Sequence, residues 1–292
     1  MKRRGRGEKA QPRPDRERGH RALGALRGSP SALLGLSLVL FWFVIALAAP
    51  LISPFDPYAM DFDAVLDPGP AGAHLLGTDM LGRDVLARLI WGARALLLVV
   101  PPAVAAAYVV GVLLGLVAGY FGGWIDQLLM RLSDGILSFP VLILYMIVLA
   151  HFGPSALNVV LAVAFTAAPQ IARIVRGLTL ELKTRDFVAA ARLRRESPWS
   201  IMIVEILPNA WGPVGVDACL RLGYTTIIIG VLGFLGLGLP PEDPNWGGMV
   251  KDTYPLIGVY PHMALYPCAA LSSLVIGFNL LADGLREAMR HG

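Results

Sequence analysis

Charge is scarce in this chain. Asp, Glu, Lys and Arg make up 16% of its 292 residues, against about 25% in a soluble domain. The mean hydropathy is +0.62, which excludes a molecule whose whole surface meets water. Cysteine is nearly absent. Cys219 and Cys268 both fall in or beside apolar runs and have no metal-ligand spacing. There are four lysines, Lys2, Lys9, Lys183 and Lys251, and none follows a glycine. That excludes the G-K-[ST] phosphate cradle, so the chain binds no ATP itself and any ATP-Mg belongs on another subunit. H-E-x-x-H, G-x-S-x-G and a convincing carboxylate pair are also missing, so no catalytic constellation presents itself. The net charge is +4. Most of the excess lies in the first 28 residues and the rest flanks apolar runs, which is how membrane topology is written and gives no reason to expect nucleic acid.

Long apolar runs are what the sequence does have. Roughly 20 residues at a 1.5 Å rise cross the hydrocarbon core, so an uncharged run of about 18 or more is a candidate span. Residues 1–28 are rich in Lys, Arg, Pro and Gly and read as a disordered basic tail. Residues 29–55 form the first span. Ala46-Leu47-Ala48 mimics a signal-peptide cleavage site, but the apolar run continues through Leu51 and Ile52, which favours an uncleaved anchor. Residues 56–94 carry six Asp against three Arg and read as an external loop. Residues 95–285 hold five further spans, near 95–123, 127–152, 156–173, 211–239 and 262–282. A charged loop at 181–209 and an outer loop at 240–261 interrupt them. Residues 286–292 close the chain. Lys and Arg gather at 1–28, 181–209 and 286–292, so both termini are expected in the cytoplasm. The expected fold is an all-α membrane protein of six transmembrane helices.

The charged loop has structure of its own. Asp186 is placed to cap a helix whose first turn is Phe187, Val188 and Ala189. The run Ala189-Ala190-Ala191 permits close approach of a neighbouring surface. Pro198 ends or bends that helix, and Leu207-Pro208-Asn209 reads as the close of a second segment before the fifth span. A polar helix held between two spans suits docking to a soluble partner; an ordinary amphipathic connector would look similar.

Four stretches, in order, carry a family resemblance: L-L-G-T-D-M-L-G-R-D-V-L-A-R-L-I-W-G-A-R at 75–94, G-G-W-I-D at 122–126, the loop at 186–209, and G-F-L-G-L-G-L-P-P-E-D-P-N-W-G-G-M at 233–249. N-L-L-A-D-G-L-R at 279–286 also fits. The chain resembles the C-type permease subunit of the dipeptide, oligopeptide and nickel ABC importers. The resemblance implies a six-span permease whose coupling loop docks on an ATPase. Asp186, Phe187, Ala189, Ala190, Ala191, Arg192, Arg195 and Pro208 stand at the docking positions. It further implies a second, homologous permease, two ATP-binding subunits, an extracytoplasmic substrate-binding protein, a lipid surround and short peptides as substrate. Nickel chelates or another small solute, or an ion-coupled secondary transporter, are the alternatives. Three positions depart from the family pattern: Ala189 where Glu is usual, Arg195 where Gly is usual, and Ile229 where an acidic residue is common.

Two outer stretches are candidate contacts for the binding protein. Within 75–94, Thr78 and Asp79 are N-cap types, and Leu81, Val85, Leu86 and Leu89 follow at helical spacing, with Arg83 and Asp84 on the other face. Within 240–249, Glu242, Asp243 and Trp246 sit in a Pro- and Gly-rich turn. Each stretch also suits a purely structural role. Asp217 and Arg221, at i and i+4 in the fifth span, are expected to pair and face the bundle interior.

Overall fold

The computed structural model describes residues 29–69, 72–240 and 242–290. The basic tail at 1–28, Pro70, Ala71, Pro241 and the last two residues lie outside the described residues. The helices are α1 Pro30–Ile52, α2 Val85–Phe121, α3 Gly123–Leu137, α4 Val141–Phe152, α5 Ala156–Leu182, α6 Asp186–Leu193, α7 Leu207–Phe234, α8 Trp246–Thr253 and α9 Pro261–Arg290. Among the described residues the only extended pairing is an isolated bridge between Thr78 and Asp84. A turn at Pro198–Ser200 and a π-helical stretch at Ile201–Ile206 run straight into α7, making one rod of 37 residues from Pro198 to Phe234.

Among the described residues, five helices are long and apolar enough to cross a membrane: α1, α2, α5, the rod ending in α7, and α9. The third expected span is not one rod. It is the pair α3 and α4, bent by 81°. The break falls at Ser138, Phe139 and Pro140. Pro140 lacks an amide donor and disfavours helix at Phe139 before it. The Ser138 hydroxyl donates to the Gly135 carbonyl at 2.7 Å, which satisfies part of the frayed end.

The bundle is built on close helix pairs. Along α2, Gly111, Gly115 and Gly119 face α5. A Cβ on Gly115 would lie 2.6 Å from the Ala172 carbonyl oxygen, and one on Gly119 would lie 2.6 Å from Thr179 Cβ. Lipid tails are as apolar as leucine, so helix association in a bilayer depends on such close packing. α9 packs against α1 and α7. Outward faces stay apolar: Leu40, Phe43, Val44 and Leu47 on α1 are all exposed, as lipid contact requires. Gly122 and Gly123, both at positive φ, turn the chain sharply from α2 into α3.

The two ends of the bundle differ. Lys183 donates to the Gly119 carbonyl at 2.7 Å, fixing the C-terminal end of α2 beside α6. At the opposite end the Trp246 indole N–H, in α8, donates to the Leu89 carbonyl near the start of α2 at 2.9 Å.

Candidate functional site

α6 projects from one end of the bundle. Arg185 is its N-cap and Asp186 its first residue, so the cap lies one position earlier than the sequence reading placed it. The Asp186 carboxylate still sits in the first turn, where it complements the helix dipole. The helix has two faces. Val188 and Ala191 are fully buried and join Ile201, Met202, Ile206, Val175 and Leu116 in one apolar cluster. Ala189, Ala190, Arg192 and Leu193 point away, and Leu193 is 85% exposed. Phe187 is half-buried. Ala191 is therefore corrected: it packs on the chain's own core and is not a surface docking residue.

Arg195 resolves the glycine that the helix end lacks. It adopts φ +56°, the left-handed conformation. Its amide bonds to the Arg192 carbonyl at 2.9 Å, and the Glu196 amide bonds to the Ala191 carbonyl at 3.2 Å. Those two bonds make a Schellman cap with arginine in the usual glycine place. The clamp continues in side chains. Arg194 bonds to Glu196 and, at 2.9 Å, to Glu205. The Arg194 hydrogen bond holds the Glu196 carboxyl below its ordinary range. The Arg192 guanidinium lies 5.6 Å from the Tyr120 ring centre.

The second segment does not close at Leu207-Pro208-Asn209. It runs on as α7. Pro208 has no N–H, and the π-helical turn before it absorbs the missing bond: the Leu207 amide reaches back to the Met202 carbonyl. The Asn209 side-chain amide then donates to the Glu205 carbonyl at 2.7 Å. α6 is thus a short helix braced on one side by a rigid rod and free on the other. Such an element can bind a protein.

The opposite end is a sealed polar layer. The helix expected from Thr78 begins at Val85, with Asp84 as its N-cap bonding the Ala87 amide at 2.6 Å. It is continuous with the second span, so among the described residues the interfacial helix expected within 56–94 is no separate element. Arg83 and Asp84 are buried. Arg83 Nε bonds Asp79 at 2.7 Å, and His74 Nδ1 lies 2.9 Å from Asp84. Trp246 is fully buried, 4.8 Å from Trp42 ring to ring. Arg83, Asp84 and Trp246 are thus internal in this chain and not a contact surface. Glu242 is exposed, and the half-buried Asp243 accepts from the Tyr58 hydroxyl at 3.1 Å. Burial, reinforced by that bond, pushes the Tyr58 phenol above its ordinary value.

Comparison with known proteins decides the family. "Binding-protein-dependent transport system inner membrane component" matches residues 111–291. "N-terminal TM domain of oligopeptide transport permease C" matches 18–68. The chain belongs to the binding-protein-dependent transport system inner membrane component family. It is similar to the glutathione transport system permease protein GsiD of Pectobacterium atrosepticum, 38% identical over 90% of this chain and 87% of the relative. The dipeptide transport system permease protein DppC of Alkalihalophilus pseudofirmus is 37% identical over 92% and 88%. DppC of Haemophilus influenzae is 35% identical over 88% and 89%. The molecule is a multi-pass inner-membrane permease subunit of an ABC importer.

Within the permease a polar cluster sits among the spans. Asp217 and Arg221 pair as expected, Nε to Oδ2 at 2.7 Å. Tyr108 on α2 donates to the same Asp217 oxygen at 2.5 Å, and Arg221 Nη1 donates to Gln170 on α5 at 3.1 Å. On the neighbouring turn, the Thr166 and Tyr145 hydroxyls lie 2.7 Å apart. Tyr108 and Gln170 were not singled out from the sequence. Each is one polar residue inside an apolar run, and only the packing of α2, α5 and α7 brings them together.

Proposed function

We propose that this permease forms half of the translocation path of an ATP-driven importer of short peptides, and that α6 docks on its ATPase subunit. One observation carries the docking reading: α6 is braced on the face of Val188 and Ala191 and bare on the face of Ala189, Ala190 and Leu193. Leu193 exposed next to Arg192 and Arg194 is an apolar anchor with a basic rim, the pattern of a small protein interface. The peptide reading is supported by relatives named for dipeptide and glutathione transport.

The α6 end carries Lys183, Arg185, Arg192, Arg194 and Arg195, while the loop at the α8 end is rich in Asp. Positive residues stay inside, so α6 is cytoplasmic and α8 external. A second, homologous permease completes the path. Two ATPase subunits bind the ATP-Mg for which this chain has no site, and an extracytoplasmic binding protein delivers substrate near Glu242 and Asp243. ATP drives the cycle because the ATPase pair binds it better in one state of the permeases than in the other. Asp186, Phe187, Ala189, Ala190, Arg192, Arg195 and Pro208 remain the docking set. Pro208 acts through the rod that braces α6.

The test is cross-linking. With Cys219 and Cys268 replaced by Ser, an Ala190→Cys permease carrying a short bifunctional thiol reagent should link to the ATPase in membranes. Linkage from position 190 to lipid or to the other permease, and never to the ATPase, would refute the docking assignment.

A further inference from the structure

Charged side chains in the middle of a membrane helix are costly, and they face water, a partner or a path. Asp217 and Arg221 lie 17 and 13 residues before the end of the rod at Phe234. At a 1.5 Å rise, that sets them about 20–25 Å from the outer end of the helix, well inside the hydrocarbon layer. The pair is not sealed. Its side chains are 20% and 11% exposed. Tyr224, one turn beyond Arg221, is exposed too. A narrow cavity of mixed lining, with Val104, Val141, Tyr145, Thr166, Gln170 and Tyr224 on its walls, reaches Arg221. Partly exposed charge at this depth is costly in lipid, so this face of α7 looks onto a partner or a path.

The bonding is incomplete in an informative way. Tyr108 and Arg221 both bond to Asp217 Oδ2. Oδ1 accepts nothing from a described residue and is not among the buried, unpartnered atoms, so it is open to a visitor. Arg221 has five N–H donors, more than the Asp217 and Gln170 acceptors use. A guanidinium fork suits a carboxylate, and a free carboxylate oxygen suits an ammonium. A buried ion pair contributes little to stability compared with apolar residues of similar size, so the fold does not require this one.

We propose that the Asp217–Arg221 pair, held by Tyr108 and Gln170, lines the translocation path and engages the charged ends of a peptide in transit. Arg221 takes the C-terminal carboxylate and Asp217 the N-terminal ammonium. In the empty path the two residues satisfy each other. This assignment rests on the peptide-import reading above.

The test uses the whole transporter in proteoliposomes, with ATP on the ATPase side and binding protein plus radiolabelled dialanine on the other. Two doubly substituted permeases are compared with the unmodified one: the neutral D217N/R221Q and the reversed D217R/R221D. Both should assemble and keep ATP hydrolysis that loaded binding protein stimulates. Uptake per ATP should fall about tenfold or more in each, the loss of one charge-assisted hydrogen bond. A structural pair would tolerate reversal. Unmodified uptake per ATP in either variant overturns the proposal, and so does failure of both to assemble. Absence of dialanine uptake in the unmodified complex refutes the peptide reading and this proposal with it. Uptake by the unmodified complex that the variants match refutes this proposal alone.

Discussion

Substituting glutamate at Ala190 and at Ala191, one at a time, separates docking from packing on α6. The two residues are adjacent in sequence and lie on opposite faces. Ala191 is fully buried against Ile201, Met202 and Ile206. Glutamate there adds about three carbons' worth of volume, and overpacking of this kind costs about 1–3 kcal/mol. The carboxylate would also be buried unpaired, which adds a further penalty of several kcal/mol unless it protonates or swings out. α6 should detach from the rod, and the permease should lose thermal stability in detergent. Ala190 is exposed. Glutamate there should change the permease's own stability by no more than about 0.5 kcal/mol, the usual range for surface substitutions. On the docking face it should weaken ATPase binding by about 1–3 kcal/mol, which is tenfold or so at 1.4 kcal/mol. The assay is paired: fluorescence-monitored melting of the permease, and co-purification with the ATPase. Ala190→Glu should melt normally and co-purify poorly; Ala191→Glu should melt early. Normal co-purification and uptake in Ala190→Glu, with a normal melt in Ala191→Glu, would refute the two-faced reading of α6.

Other outcomes follow from single contacts. Arg195→Gly should stabilise the permease by about 1 kcal/mol, because arginine sits in left-handed backbone that glycine adopts freely; a lower melting temperature would contradict the Schellman cap. Gly115→Leu should destabilise by about 1–3 kcal/mol or more, because its Cβ would meet the Ala172 carbonyl at 2.6 Å, and unchanged detergent stability would argue against close α2–α5 packing. Trp246→Ala should cost about 3–5 kcal/mol and loosen the α8 end, since the indole is fully buried and bonded to the Leu89 carbonyl; unaltered proteolysis of the outer loop would count against it. The Arg194–Glu196 clamp holds Glu196 below its ordinary range, so its stabilisation is present at neutral pH and is lost as pH falls through that lowered value. Hydrogen-exchange protection at 194–200, taken relative to the intrinsic rate at each pH, should therefore fall in acid in the native chain, and be lowered already at neutral pH in Glu196→Gln.

Much of the architecture was legible because a bilayer imposes simple rules. Uncharged runs marked α1, α2, α5, α7 and α9, and clustered arginines marked the α6 loop. The rest was hidden for physical reasons. The third span averages as apolar across 127–152, and only Pro140 after Phe139 betrays the bend between α3 and α4. Pro208 looked like a terminus, yet a π-helical turn lets the helix pass through it. Arg83 and Asp84 looked like surface charges; they are buried because Asp79 and His74 pair with them. The alanine run on α6 carried no sign of which methyl faced inward. That depended on where Ile201 and Met202 pack.

Energy source is the point on which the account stands most directly. The assembled transporter is placed in proteoliposomes, and radiolabelled dialanine uptake is measured with binding protein present. Uptake is predicted only when ATP and magnesium are supplied on the ATPase side, and vanadate should abolish it. Uptake without ATPase subunits, driven by an imposed proton or sodium gradient, would contradict the account and make the chain an ion-coupled carrier.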